Sequence, residues 1–126
     1  MRSAPSIRRP TCVLSMLLVT SPVVAQNQLK IVSSLPRTGS ANAQTTTMVN
    51  GIRMAIDEVG GKVDGFEILY EDMDDASPQR GNWDPAVEGQ NANKAAKDPL
   101  VVGYIGTFNS GAAKIAMPIL NRAGCV

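Results

Sequence analysis

The stretch Leu100-Val101-Val102-Gly103-Tyr104-Ile105 runs into Gly106-Thr107-Phe108-Asn109-Ser110-Gly111, and an Ala-rich segment follows from Ala112 to about Ala123. A nearly continuous apolar run bounded by turn residues reads as a central parallel strand, covered on both faces. The Gly-containing hexapeptide turns the chain sharply into a helix. Gly124 is placed to cap that helix, and Pro118 is expected to kink it. Cys125-Val126 would then open another strand.

Outward from this unit the same order recurs. Leu29-Lys30-Ile31-Val32-Ser33-Ser34-Leu35 reads as a short strand ended by Pro36, and Thr38-Gly39-Ser40-Ala41-Asn42 is loop chemistry. From Thr45 to Val59, the positions Met48, Val49, Ile52, Ala55, Ile56 and Val59 fall on one face of a 3.6-residue period, and Gly60-Gly61 ends the helix. Phe66-Glu67-Ile68-Leu69-Tyr70-Glu71 is a second strand, followed by a polar loop from Asp72 to Trp83. Asp84-Pro85 has the form of an N-cap with proline at the first helical position. The helix it starts has a weak apolar face (Val87, Ala92, Ala95, Ala96) and ends at Asp98-Pro99. The order β-α-β-α-β-α-(β) predicts an α/β fold: an open, mostly parallel sheet with helices on both faces.

The whole sequence has 126 residues, 12 basic and 11 acidic, with no His, two Cys and five aromatics. That length allows one domain at most. The lack of His excludes His-based triads and His-containing zinc sites, and Cys12 and Cys125 alone make neither a zinc ribbon nor a disulfide framework. A net charge of +1 without a basic block argues against nucleic acid as a partner.

Arg2, Arg8 and Arg9 precede the apolar run from Cys12 to Val19, and Val23-Val24-Ala25 offers small residues before Gln26. This is the pattern of a secretory signal peptide over residues 1–25, cleaved between Ala25 and Gln26. The run is far shorter than the roughly 20 apolar residues of a membrane span. The remaining segment, 26–126, keeps nine basic and eleven acidic residues, a net charge of −2. Cys125 is then its one cysteine, and its penultimate position hints that a longer protein would continue.

In open α/β sheets, ligands bind beyond the carboxyl ends of the strands. Three loops fall there: about Pro36–Gln44, Asp72–Trp83 and Gly106–Gly111. Ser110 stands where a helix begins, with the N–H groups of Gly111 and Ala112 beside it. Such a terminus suits a carboxylate or other small anion, although a serine there can equally cap its own helix. Glu71, Asp72, Asp74 and Asp75 do not have calcium-loop spacing and read as solvated strand-end acids that cap turns, so no metal site is expected. No dinucleotide or phosphate-loop fingerprint is present, and Lys114 is a weak candidate to activate Thr107 or Ser110. Nothing in the sequence makes an enzyme, and no cofactor is implied. Trp83 packs against the sheet rim or lies over the cleft.

Five segments occur in register. They are Leu29 to Pro36 with Thr38-Gly39, Asn50 to Glu58, Tyr70 to Pro78, Asn91 to Ala95, and Tyr104 to Ala113. Together they resemble the opening of the branched-chain amino acid-binding proteins, the substrate-binding subunits of ABC importers, whose fold is the type I periplasmic binding fold. The resemblance implies an extracytoplasmic, monomeric solute-binding protein that delivers an amino acid-like ligand to ABC permease membrane subunits. A ligand-sensing receptor module of the same fold is the alternative. It also implies a two-lobed protein about three times this size, of which this chain is the first part of lobe one. The ligand's α-carboxylate then falls to Ser110 with Gly111, flanked by Thr107 and Asn109, and Gln44 covers it from the first loop–helix junction. A disulfide found in some members is absent here, where Ser77 and Asn109 stand. Without the second lobe, the chain alone is expected to bind amino acids weakly or not at all.

Overall fold

The computed structural model describes residues 27–125. The signal-peptide reading of residues 1–25, its cleavage between Ala25 and Gln26, and Val126 of the expected last strand lie outside them.

Strand β1 (Gln28–Leu35) leads through a short 3-10 turn into helix α1 (Asn42–Glu58). Strands β2 (Lys62–Val63) and β3 (Phe66–Asp74) form a hairpin around Asp64-Gly65, both at positive φ, as a type I′ turn requires. Two short strands, β4 (Ala76–Ser77) and β5 (Asn82–Trp83), pair antiparallel before helix α2 (Pro85–Lys97). Strand β6 (Val101–Ile105) and helix α3 (Ser110–Ala123) complete the described chain. The main sheet has the order β2-β3-β1-β6, with β1 parallel to both β3 and β6.

Local chemistry explains the boundaries. The Asp84 carboxylate accepts a hydrogen bond from the Ala86 N–H at 2.8 Å, and Pro85 follows as the first helical residue, so α2 begins where the sequence places it. Gly124 closes α3 in the left-handed conformation at φ 71°. The helix runs on through Pro118, which is exposed.

Side chains alternate across the sheet. Val32 and Met73 face α2 and α3, where they pack with Ala92, Ala95, Ala116 and Leu120 into the core. Ile31, Ile68 and Ile105 face the other way, toward Ile52 and Ile56 of α1. Helices therefore lie on both faces, as expected.

Two expectations change. Strand β6 is an edge of the sheet among the described residues, and Val102 and Ile105 on it are exposed rather than covered. The segment from Asp72 is also less loop-like than its polar composition implies. Pairing with β1 extends β3 to Asp74, with Leu35 opposite Asp74, and the β4–β5 hairpin follows. Backbone pairing there outweighs side-chain polarity, because β1 offers a full ladder up to Leu35.

Candidate functional site

The three loops meet at one end of the sheet. The Ser40 N–H donates to the Gly81 carbonyl at 3.2 Å, joining the first loop to the β4–β5 turn. At Gly106 a side chain would come within 2.8 Å of the Ser34 carbonyl, so the third loop lies directly on the crest of β1. At Gly111 an added Cβ would stand 2.6 Å from Cζ2 of Trp83, so the indole lies across the first turn of α3.

Asn109, not Ser110, takes the N-cap position of α3, and it makes no side-chain capping bond. Its carbonyl accepts the N–H groups of Ala112 and Ala113, so the Ala112 N–H is already used within the helix. Ser110 is the first helical residue and is exposed, with no side-chain hydrogen bond among the described residues. The capping role weighed for it is therefore not the one it has. Its hydroxyl and the first-turn N–H groups of Ser110 and Gly111 face the start of the helix dipole, a setting that favours negative charge. The Thr107 hydroxyl is turned inward and donates to the Asn109 carbonyl at 2.8 Å, which holds the loop in shape. Asn109 Oδ1 is buried with no hydrogen-bond partner. Thr107, Asn109, Ser110 and Gly111 thus form one continuous rim. Gln44 is exposed on the first turn of α1 and makes no hydrogen bond to that rim among the described residues. Lys114 is exposed one turn further along α3.

The acids behave differently from the solvated set expected. Asp72 is paired with Arg37 at 3.0 Å, and Arg37 also donates to the hydroxyls of Thr45 and Thr46. Asp74 accepts from the N–H groups of Arg37 and Ala76, both at 2.8 Å, and from the Thr38 hydroxyl. Glu71 is bridged by Lys94 and Lys30. Asp74 does cap turns as expected, but Asp75 is fully buried. Chain pairing on both sides of Asp75 draws it beneath the loops, away from the surface. No group of acids, His or Cys among the described residues could hold a metal ion.

Beneath the rim lies a polar network built around Glu88, which the sequence reading did not single out. Glu88, completely buried, accepts hydrogen bonds from the Ser34 hydroxyl at 2.6 Å and the Tyr104 hydroxyl at 2.8 Å. Asn91 donates to Ser34 Oγ and to the Asp74 carbonyl. Burial pushes the Glu88 carboxyl up, and the two hydroxyl donors work against that rise. Burial likewise raises the Tyr104 hydroxyl, which stays protonated as the donor. The network joins β1, α2 and β6, so the three loops sit on a shared support. An acid placed between small residues of an amphipathic helix (Ala92 and Ala95 on the same buried face) is the one signal that could have found Glu88.

Comparison with known proteins follows this geometry. The profile of the Periplasmic binding protein family matches residues 28–126. No curated protein sequence matches the chain. Among solved structures, the branched-chain amino acid transporter substrate-binding protein LivJ of Streptococcus pneumoniae, in complex with isoleucine, is similar at 26% identity and a TM-score of 0.65, covering 78% of this chain and 27% of that one. The leucine-binding protein LivK of Thermotoga maritima gives 25% identity and a TM-score of 0.64, over 75% of this chain and 25% of that one. A solute-binding protein of an ABC transporter from Rhodopseudomonas palustris, in complex with benzoate, gives 25% identity and a TM-score of 0.65, over 77% and 25%. The chain therefore spans roughly a quarter of the length of these solved relatives. With a family profile over nearly all the described residues and a sheet superposing on its solved members, the chain belongs to the periplasmic binding protein family.

Proposed function

We propose that this chain is part of an extracytoplasmic solute-binding component of an ABC importer, which binds a small carboxylate-bearing solute and hands it to the permease subunits. The observation that carries the reading is the exposed start of α3. There the Ser110 hydroxyl and the first-turn N–H groups stand together at a helix N-terminus, on a rim fixed by Gly106 and Trp83. In this reading Ser110 and Gly111 anchor the carboxylate, Thr107 and Asn109 shape the loop, and Gln44 covers the ligand from α1. The solved relatives support the solute class: one holds isoleucine and another benzoate, both carboxylates. Export through the signal sequence of residues 1–25 fits such a role. The protein is proposed to act as a monomer, with no catalytic step and no cofactor.

Trp83, the one tryptophan of the chain, is a built-in reporter because it lies on Gly111. Its fluorescence is followed while isoleucine, leucine or benzoate is added to wild-type chain and to Ser110→Ala. The expected result is a weak, saturable response to at least one solute, about tenfold weaker in Ser110→Ala, as for the loss of a hydrogen bond to a charged group. A saturable response that Ser110→Ala leaves unchanged would contradict the reading.

A further inference from the structure

Asp75 has no exposed surface, and neither of its carboxylate oxygens has a hydrogen-bond partner among the described residues. It cannot simply swing out to water, because its backbone is held on both sides. The Asp75 N–H donates to the Leu35 carbonyl at 3.1 Å, and its own carbonyl accepts from the Asp84 N–H at 2.7 Å. Asp75 is thus the pin that joins the crest of β1 to the start of α2.

The charged and titratable groups that face it are Glu88 from α2, Asp74 from β3 and Tyr104 from β6, with no cation among them. From β1 the contact is the Leu35 carbonyl, which accepts the Asp75 N–H and offers the carboxyl no donor. An ionised carboxylate in this position is desolvated, unpaired and beside other acids, the combination that proteins avoid. A neutral carboxylic acid avoids the charge.

We propose that the folded chain carries Asp75 as the neutral acid, so that the buried Asp75–Glu88 pair holds one proton, and that releasing this proton loosens the tie between the end of β1 and the start of α2. Burial first, then the charges of Glu88 and Asp74, push the Asp75 carboxyl up to about 7 from 3.8. The folded value lies above the unfolded one, so between them the folded chain binds more protons. Stability is then fully present below the unfolded value and falls as pH rises through the folded one. For one proton the limit is about a tenfold loss of folding constant per pH unit. The sequence has no His, so no ordinary side chain competes for this range.

The experiment uses the full chain: urea denaturation from about pH 5 to about pH 8, together with the pH titration of the Asp75 carboxyl carbon by NMR. Wild type should lose folding constant toward the single-proton limit as pH rises, with the Asp75 carbon titrating near neutrality. Asp75→Asn, which mimics the neutral acid, should be flat over the same range. Glu88→Gln should move the fall to lower pH by removing a neighbouring charge. An Asp75 carbon that titrates as an ordinary aspartate would overturn the proposal, as would an Asp75→Asn chain that keeps the wild-type slope. If neither variant folds, the wild-type carbon titration decides alone.

Discussion

On the face covered by α2 and α3, Val32, Met73, Ala92, Ala95, Ala116 and Leu120 close around a network of buried polar groups. On the opposite face, α1 buries Thr45 and Val49 but leaves Met48, Met54 and Val59 exposed, beside an apolar groove of about 490 Å³ that reaches Ile31, Ile68 and Ile105. Both helical faces have a suitable apolar period, so amphipathicity does not separate them. The difference is that α2 and α3 pack on each other as well as on the sheet, with small alanines at the contact, whereas α1 makes no comparable contact with either of them. A helix alone on a sheet closes only its central line of side chains. The closed face is also the one that supports the candidate site, through Ser34, Glu88 and Tyr104.

Substitutions can break this contrast or sharpen it. The largest effect is expected for Leu120→Ala on the closed face, a loss of about 2–5 kcal/mol for a large-to-small change in a packed core. Urea denaturation at fixed pH measures it. Gly111→Ala forces the Trp83 ring away from α3 and should cost about 1–3 kcal/mol, as overpacking does. A shift in Trp83 emission checks that the indole itself has moved. On the open face, Ile52→Ala should cost only about 1 kcal/mol, because the side chain is already partly in water. Met54→Lys, at a position 62% exposed, should stay within about 0.5 kcal/mol of wild type. If the Ile52 and Leu120 variants cost the same, the two faces do not differ as described.

The pH response offers a finer contrast. The hydrogen bond from the Ser77 hydroxyl, then that from the Ala86 N–H, hold the Asp84 carboxyl below its ordinary 3.8. Its contribution is present above that value and is lost on acidification, the reverse of the sign expected for Asp75. Asp84→Asn should therefore flatten the acid limb of the stability profile and leave the neutral limb unchanged, as urea midpoints across pH would show.

Much of this architecture can be read from the residues. The helical period of Met48 to Val59, the Asp84-Pro85 start and the Gly124 stop each carry a local physical signal, and each marks an element of the structure. The rim from Thr107 to Gly111 is legible for the same reason, since strand, turn and helix follow one another without a gap. What escaped depends on long-range pairing. Asp72 and Asp74 look like loop residues until β1 draws them into β3, and Asp75 looks solvated until the Leu35 and Asp84 bonds hold it inside. The Asp64-Gly65 turn was a readable hairpin signal that the two-residue strand beside it made easy to overlook. Glu88 is hidden because its partners, Ser34 and Tyr104, come from two other strands. β6 is apolar enough to be covered on both faces, but among the described residues it pairs with β1 alone and leaves Val102 exposed.

The most direct measurement is an amide map of the ¹⁵N-labelled chain titrated with isoleucine and with benzoate. If the start of α3 is the carboxylate anchor, the largest shift changes will fall on Ser110 and Gly111, with smaller ones at Thr107, Asn109 and the Trp83 indole, and Ser110→Ala will remove them. Changes centred on the α1 groove, or a saturable response that spares Ser110 and Gly111, would contradict that placement.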